Sequence, residues 1–231
     1  MKMKRSEKIG MFTGLVVGVL LLLISVFMIF QTTCKVWGAE KPANATQQGI
    51  DVSSHQGKID WEQVKNSALA DYAIIRCGYG VNQTDKDDKY WDYNSSECER
   101  LGIPYGTYLY SGADTTAKAK SEAEHVVRLL QGKNLTYPIY YDMEADMLNQ
   151  LSSTQIGNIA KTFLNTMESY GYKNVAVYSN KYLFETKLTA SVFSDYPKWI
   201  AQHSNKCTYR GSYHMWQYST QGVIPGISEK S

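Results

Sequence analysis

The segment Tyr140-Tyr141-Asp142-Met143-Glu144-Ala145-Asp146 holds the residues in this chain best spaced for chemistry. The apolar run Pro138-Ile139-Tyr140-Tyr141 reads as a buried strand, and it leads straight into carboxylates. Residues two apart on a strand point the same way, so Asp142 and Glu144 project from one face with Cα atoms roughly 6–7 Å apart. Carboxylates held that close repel and titrate apart. One then keeps a proton while the other is charged, the pairing that cleavage of a glycosidic bond requires. The competing reading of the same spacing is a pair of solvated acids after a strand, one of them opening a loop or capping a helix.

Strand-like and helix-like segments alternate around this pair. Gly49-Ile50-Asp51-Val52 reads as a first strand, and Asp60 to Val64 opens a short helix. Tyr72 to Arg76 is a strand, Asp88 to Leu101 a helix closed by Gly102, and Pro104 to Tyr110 a strand. Thr116 to Gln131 is helical, with Ala119, Ala123, Val126, Val127 and Leu130 on its apolar face. After Pro138–Tyr141 comes a helix opened by the capping box Ser152/Gln155 and carrying Ile156, Ile159, Ala160, Phe163, Leu164 and Met167. Asn174 to Tyr178, Pro197 to Ala201 and Tyr213 to Tyr218 are the remaining strands. Such alternation predicts a parallel α/β architecture, in which chemistry gathers at the C-terminal strand ends. Asp51, Tyr110, Asp142, Glu144, Tyr178 and Gln217 all fall at such ends.

Asp51 would be a third acid at that mouth, or else an Asx-turn residue. Aromatic residues are plentiful, with 18 Tyr and 5 Trp, and Tyr79, Tyr108, Tyr110, Tyr141, Tyr178, Trp199 and Trp216 fall on or just after strands. Sugar rings stack on aromatic faces while Tyr hydroxyls bond their hydroxyls, so around an acidic mouth this set points to a carbohydrate groove. His55 with Asp51 and Asp142 is a weak metal candidate, because no histidine pair has i, i+4 spacing. His125 is read as lying on the solvated side of its helix. No Gly-x-Ser-x-Gly elbow and no Gly-rich phosphate loop occur. The cysteines at 34, 77, 98 and 207 form no Cys-x-x-Cys pair. Those in the domain are read as buried small apolar residues, with room for one disulfide and one free thiol.

The N-terminal region is separate. Lys2, Lys4, Arg5 and Lys8 precede the uncharged apolar run Ile9 to Phe30, which at about 20 residues is long enough to span a bilayer. The basic flank places residues 1–8 in the cytoplasm and everything after Phe30 outside. A cleaved signal peptide is the alternative, although its apolar part is usually shorter. Residues 31–48 read as a polar tether, leaving 49–231 as one domain. Residues 1–48 hold six Lys/Arg and two Asp/Glu, so the slight basicity of the chain lies outside the domain. The domain has no basic stripe for nucleic acid.

Taken together, Gly49-Ile50-Asp51-Val52-Ser53-Ser54-His55-Gln56-Gly57, Tyr72-Ala73-Ile74-Ile75-Arg76, Gly78-Tyr79-Gly80, Gly102-Ile103-Pro104-Tyr105-Gly106-Thr107-Tyr108, Asp142-Met143-Glu144, Val177-Tyr178-Ser179-Asn180, Trp199-Ile200-Ala201 and Met215-Trp216-Gln217-Tyr218 resemble the family 25 glycoside hydrolases, the N-acetylmuramidase lysozymes. The resemblance runs from Gly49 to about Ile227. It implies an irregular (β/α) TIM-like barrel acting on peptidoglycan glycan strands at the β-1,4 bond between N-acetylmuramic acid and N-acetylglucosamine, without metal or cofactor. It implies Glu144 as general acid and Asp142 as nucleophile or as support for the substrate's 2-acetamido group. Asp51 would tune Asp142, and Tyr79, Tyr108, Tyr110, Tyr178, Trp199 and Gln217 would bind substrate. The short carboxylate spacing fits retention. The family usually adds a final Val-Asp-x-Asn strand after the turn that is here Pro225-Gly226-Ile227. The chain reads on as Ser228-Glu229-Lys230-Ser231, so that strand and its acid are expected to be missing. His203 stands where a Tyr is common, and Leu109 where a His is common. The alternatives are a glycan-binding barrel without turnover and a metal-dependent amidase or deacetylase using Asp51 and His55.

Overall fold

The computed structural model describes residues 44–228. The strands are β1 (Gly49–Val52), β2 (Tyr72–Tyr79), β3 (Tyr105–Tyr110), β4 (Ile139–Asp142), β5 (Val175–Asn180), β6 (Lys198–Ala201) and β7 (Met215–Gln217). They form one sheet in chain order, with every neighbouring pair parallel. Helices α1 (Trp61–Ser67), α2 (Trp91–Leu101), α3 (Thr116–Leu129) and α4 (Ser153–Ser169) make the first four crossovers. The short α5 (Lys181–Thr186) and α6 (Val192–Asp195) share the fifth, and no helix joins β6 to β7.

Strand order equal to chain order is the winding of a (β/α) barrel. Here the edge strands meet through side chains instead of a backbone ladder. Gln217 Nε2 donates to both Asp51 oxygens at 3.0 Å, and, just outside the strands, Gln48 Nε2 donates to Tyr218 Oη at 2.6 Å. The expected TIM-like barrel is therefore an open seven-stranded one, and no strand follows β7 among the described residues. The expected flank 1–8 and membrane helix 9–30 lie outside the described residues. Among those described, no helix is long and apolar enough to cross a membrane.

Parallel register places partners on the same face of a sheet. Asp51 pairs with Ile74, Arg76 with Tyr108, Tyr110 with Asp142, Asp142 with Tyr178, Tyr178 with Trp199, and Ala201 with Gln217. These residues line the inside of the curl. Ile74, Tyr140, Ala176 and Trp199 form its apolar filling, with Met215 packed against it. A register shift between Arg76 and Gly78 sets Tyr79 opposite Tyr110, so Tyr79 reaches the same side. The other face is covered by helices. α4 buries Ile156, Ile159, Ala160, Phe163, Leu164 and Met167, and Phe163 stacks on Tyr141 at 3.8 Å between ring centroids. Burying a side chain of this size contributes about 1.5–3 kcal/mol.

Local signals set the helix ends. Asp60 caps α1 through Gln63 N, the Ser152/Gln155 box opens α4, and Gly102 closes α2 at φ 65°. Three expectations change. The helix expected from Asp88 begins at Trp91, because the Asp88 carboxylate is engaged with Arg76 and the Ser54 N–H. His125 is fully buried, its ring nitrogens 3.0 Å from Gly80 O and 2.7 Å from Asp87 Oδ1. Cys77 and Cys98 are buried, but Cys207 is only partly so, and all three are free thiols.

Candidate active site

Asp142 is the last residue of β4 and is 3% exposed. Its carbonyl accepts from Ser111 N at 2.9 Å, and the next residue, Met143, donates its N–H to Tyr178 O at 2.9 Å. Ser179 Oγ donates to Met143 O at 2.6 Å. The exits of β3 and β5 thus grip the chain on both sides of Asp142, and the alternation of the strand carries on to Glu144. Met143 is buried, while Glu144 stays half-exposed at the mouth. Glu144 and, from β1, Asp51 are both close enough for their charges to act on Asp142.

The three carboxyl groups are all pushed above the usual range. Burial leads at Asp142, which lies well above it, with Glu144 and Asp51 adding to the effect and Arg76 opposing it. Burial also leads at Glu144. There Asp51 adds, while the neighbouring Tyr178 hydroxyl and the field of His203 oppose. At Asp51 burial is opposed by Gln217 and His203. Asp142 Oδ1 is buried with no hydrogen-bond partner. A buried acceptor left open in this way costs about 1–3 kcal/mol, and clustered like charges are costly as well. Such a concentration marks a functional site.

The expected sugar-binding residues separate into three groups. Trp199 is 4% exposed, with Tyr178, Tyr140 and Tyr108 at centroid distances of 4.4, 5.0 and 6.3 Å. It sits at the floor of the mouth, packed among these rings. Gln217 is a hub. Its amide nitrogen serves Asp51, and its oxygen accepts from Tyr178 Oη and His203 Nε2, each at 3.0 Å. Tyr178 is buried too and presents only its hydroxyl. Tyr79, Tyr108 and Tyr110 remain as a partly exposed arc on the β2–β3 side. Tyr110 feels the charges of Asp142, Glu144 and Asp146, and Tyr79 stands at the rim with Lys86 over its ring at 5.0 Å.

Among the described residues, no three His, Cys, Asp or Glu side chains are grouped to hold a metal ion. The sequence reading gave no role to Arg76, Asp88 or Glu122. Arg76 carried a signal, since it shares the inward parity of Ile74 in an otherwise apolar strand.

A barrel whose strand ends present clustered acids beside an aromatic arc defines a carbohydrate-active class of protein. The chain belongs to the glycosyl hydrolases family 25, whose family model matches residues 50–227. It is 30% identical over 182 residues to the autolytic lysozyme of Clostridium acetobutylicum, covering 78% of this chain and 53% of that one. The modular autolysin LytC of Streptococcus pneumoniae superposes with a TM-score of 0.72 at 33% identity, over 80% of this chain and 45% of that one. A second structure of that autolysin holds a synthetic peptidoglycan ligand. The chain thus spans about half the length of these two relatives. A family 25 glycosyl hydrolase of Bacillus anthracis shares the fold, with a TM-score of 0.69 at 20% identity over 81% of this chain and 86% of that one.

Proposed function

We propose that this domain is a peptidoglycan hydrolase that cleaves the β-1,4 bond between N-acetylmuramic acid and N-acetylglucosamine with net retention. The observation that carries the reading is the buried, unpartnered Oδ1 of Asp142, two residues from Glu144 in a cluster of acids with raised proton affinity. Family membership and the lysozyme and autolysin relatives support it, and the autolysin's peptidoglycan ligand supports the substrate class.

In this reading Glu144 protonates the leaving glycosidic oxygen as its bond to the anomeric carbon breaks, and later takes a proton from the incoming water. Asp142 stabilises the anomeric centre either by direct attack or by holding the 2-acetamido group, whose carbonyl oxygen then attacks. The open Oδ1 favours the second route, because an acetamido N–H is the donor it lacks. That contact also resolves the proton order. Burial, Glu144 and Asp51 all raise the proton affinity of Asp142. An N–H donated to Oδ1 favours its charged form, while sugar covering Glu144 favours the neutral acid. Both effects favour the proton on Glu144, the residue that must donate it. Residues 9–30 would tether the domain at the cell membrane, within reach of the wall.

The test is digestion of purified peptidoglycan by the purified chain and by Glu144→Gln, with fragments read by mass spectrometry. Fragments ending in reducing muramic acid, from the wild type alone, are expected. A folded wild type that pellets with the wall and releases nothing would mean a glycan-binding barrel without turnover.

A further inference from the structure

Among the described strand residues whose side chains line the inside of the barrel, Arg76 alone is a Lys or Arg. It shares that face with Asp51, Tyr108 and Asp142. Its guanidinium is clamped: Nε donates to Asp88 Oδ2 at 2.8 Å, and Nη2 donates to Ser54 Oγ at 2.8 Å. Asp88 is itself held by the Ser54 N–H and the Tyr90 N–H, each at 2.9 Å. The two side chains are 14% and 0% exposed. A buried ion pair is weak evidence for stability, since apolar residues of similar volume often do as well. The location of this pair suggests another use. Ser54 lies three residues past Asp51, so the clamp fixes the exit of β1. It also fixes one positive charge beneath a mouth of acids.

We propose that Arg76 is a positioning residue for the glycosidase reaction, which rests on the hydrolase reading above: pinned by Asp88 and Ser54, it selects the state of the mouth in which Asp142 carries the charge and Glu144 the proton. The charged and titratable groups around it are Asp51, Asp142, Glu144, Asp88 and the Tyr108 phenol, with His203 at the rim. Of the influences on Asp142, burial, Glu144 and Asp51 act against the charged form, and Arg76 alone acts for it. Arg76 touches no reacting atom in this scheme and works through Asp142.

The experiment is the pH profile of kcat/KM on peptidoglycan for the full chain in detergent. The variants are Arg76→Lys, Asp88→Asn and the double change Arg76→Gln with Asp88→Asn, which strands no buried carboxylate. The centre of a bell-shaped profile is the mean of the two macroscopic pKa values of the coupled acids, whichever residue holds the first proton. Losing a cation worth about one unit at Asp142 moves that centre up by about half a pH unit and lowers the maximum roughly tenfold. Arg76→Lys keeps the charge and is expected to keep the centre, and Asp88→Asn is expected not to raise it. A double variant that folds and has the same centre as Asp88→Asn, from which it differs only at Arg76, would overturn the proposal. So would an upward shift in Arg76→Lys, which also decides the matter if the double variant does not fold. An inert wild type would sink the hydrolase reading instead. The role of Arg76 is then read without turnover, from the NMR titration of the Asp142 carboxyl carbon in the wild type and Arg76→Lys. The titration is repeated in Asp88→Asn and the double variant: an Asp142 midpoint higher in the double variant than in Asp88→Asn, with Arg76→Lys unchanged, supports the proposal, and equal midpoints in those two overturn it.

Discussion

Asp51→Asn tests the electrostatics of the mouth most directly, because Asp51 raises the proton affinity of both Asp142 and Glu144. The substitution removes one negative charge and keeps the volume. Both Asp51 oxygens accept from the same Gln217 amide nitrogen, so asparagine keeps one acceptor and loses one bond, a cost of about 0.5–1.5 kcal/mol. The fold should tolerate that. A like charge at this range is worth about one unit to each neighbour, or about 1.4 kcal/mol each. The sign follows from the roles. Activity needs one proton on the pair, so the acid limb marks its arrival at the active form and the basic limb its loss. Removing Asp51 lowers both affinities, and both limbs move to lower pH by about one unit. Above the basic limb this is about a tenfold loss of kcat/KM, and the loss shrinks toward the new optimum. The assay is clearing of a wall suspension across the pH range, with thermal melting as the control for folding. A folded variant whose profile stays in place, or moves to higher pH, would refute the view that Asp51 acts on the pair through its charge.

The remaining predictions concern parts that share the barrel but differ in role. Glu122 is fully buried, accepting from Tyr141 Oη at 2.6 Å, Ser111 Oγ at 2.9 Å and Gly112 N at 2.8 Å. In Glu122→Gln one of these donors must face an NH2, costing about 1–3 kcal/mol, read as a lower Tm. Burial raises the folded affinity of Glu122 for its proton. Its contribution is therefore full below the unfolded carboxylate pKa and fades as pH rises through the folded value. The wild type's lead over the glutamine variant should be widest near pH 4 and narrow toward neutrality in urea melts. Trp199→Ala opens the floor and should cost about 3–5 kcal/mol of stability by chemical denaturation. Tyr110→Ala should leave the melt nearly unchanged and raise KM, and the reverse pattern would mean that floor and rim have been assigned the wrong way round.

The acids were legible in the sequence because their placement is local. A strand ending at Asp142 fixes where Glu144 points, and the pattern around Asp51 is equally short in range. The parallel winding was legible for the same reason, through alternating periods and end signals such as Ser152/Gln155 and Gly102. What the sequence hid is set by partners distant along the chain. Nothing local to Trp199 shows that Tyr140 and Tyr178 pack against it. The bond from Gln217 to Asp51 joins residues 166 apart, beyond the reach of any local pattern. The residues of α3 show the physical reason most fully. Glu122 and His125, three apart, lie beside its apolar stripe; sequence alone assigns Glu122 no role and reads His125 as solvated. Yet strand exits leave backbone groups that need partners where the crossover helix covers them. Glu122 takes the N–H of Gly112 after β3, and His125 meets the carbonyl of Gly80 after β2. The same loops carry Ser111, which holds Asp142, and adjoin Tyr79 and Tyr110. A barrel that gathers its chemistry at strand ends must also secure those ends, and α3 does so with polar side chains. Substitutions on its buried polar side should therefore disturb the mouth even though none of these side chains reaches substrate.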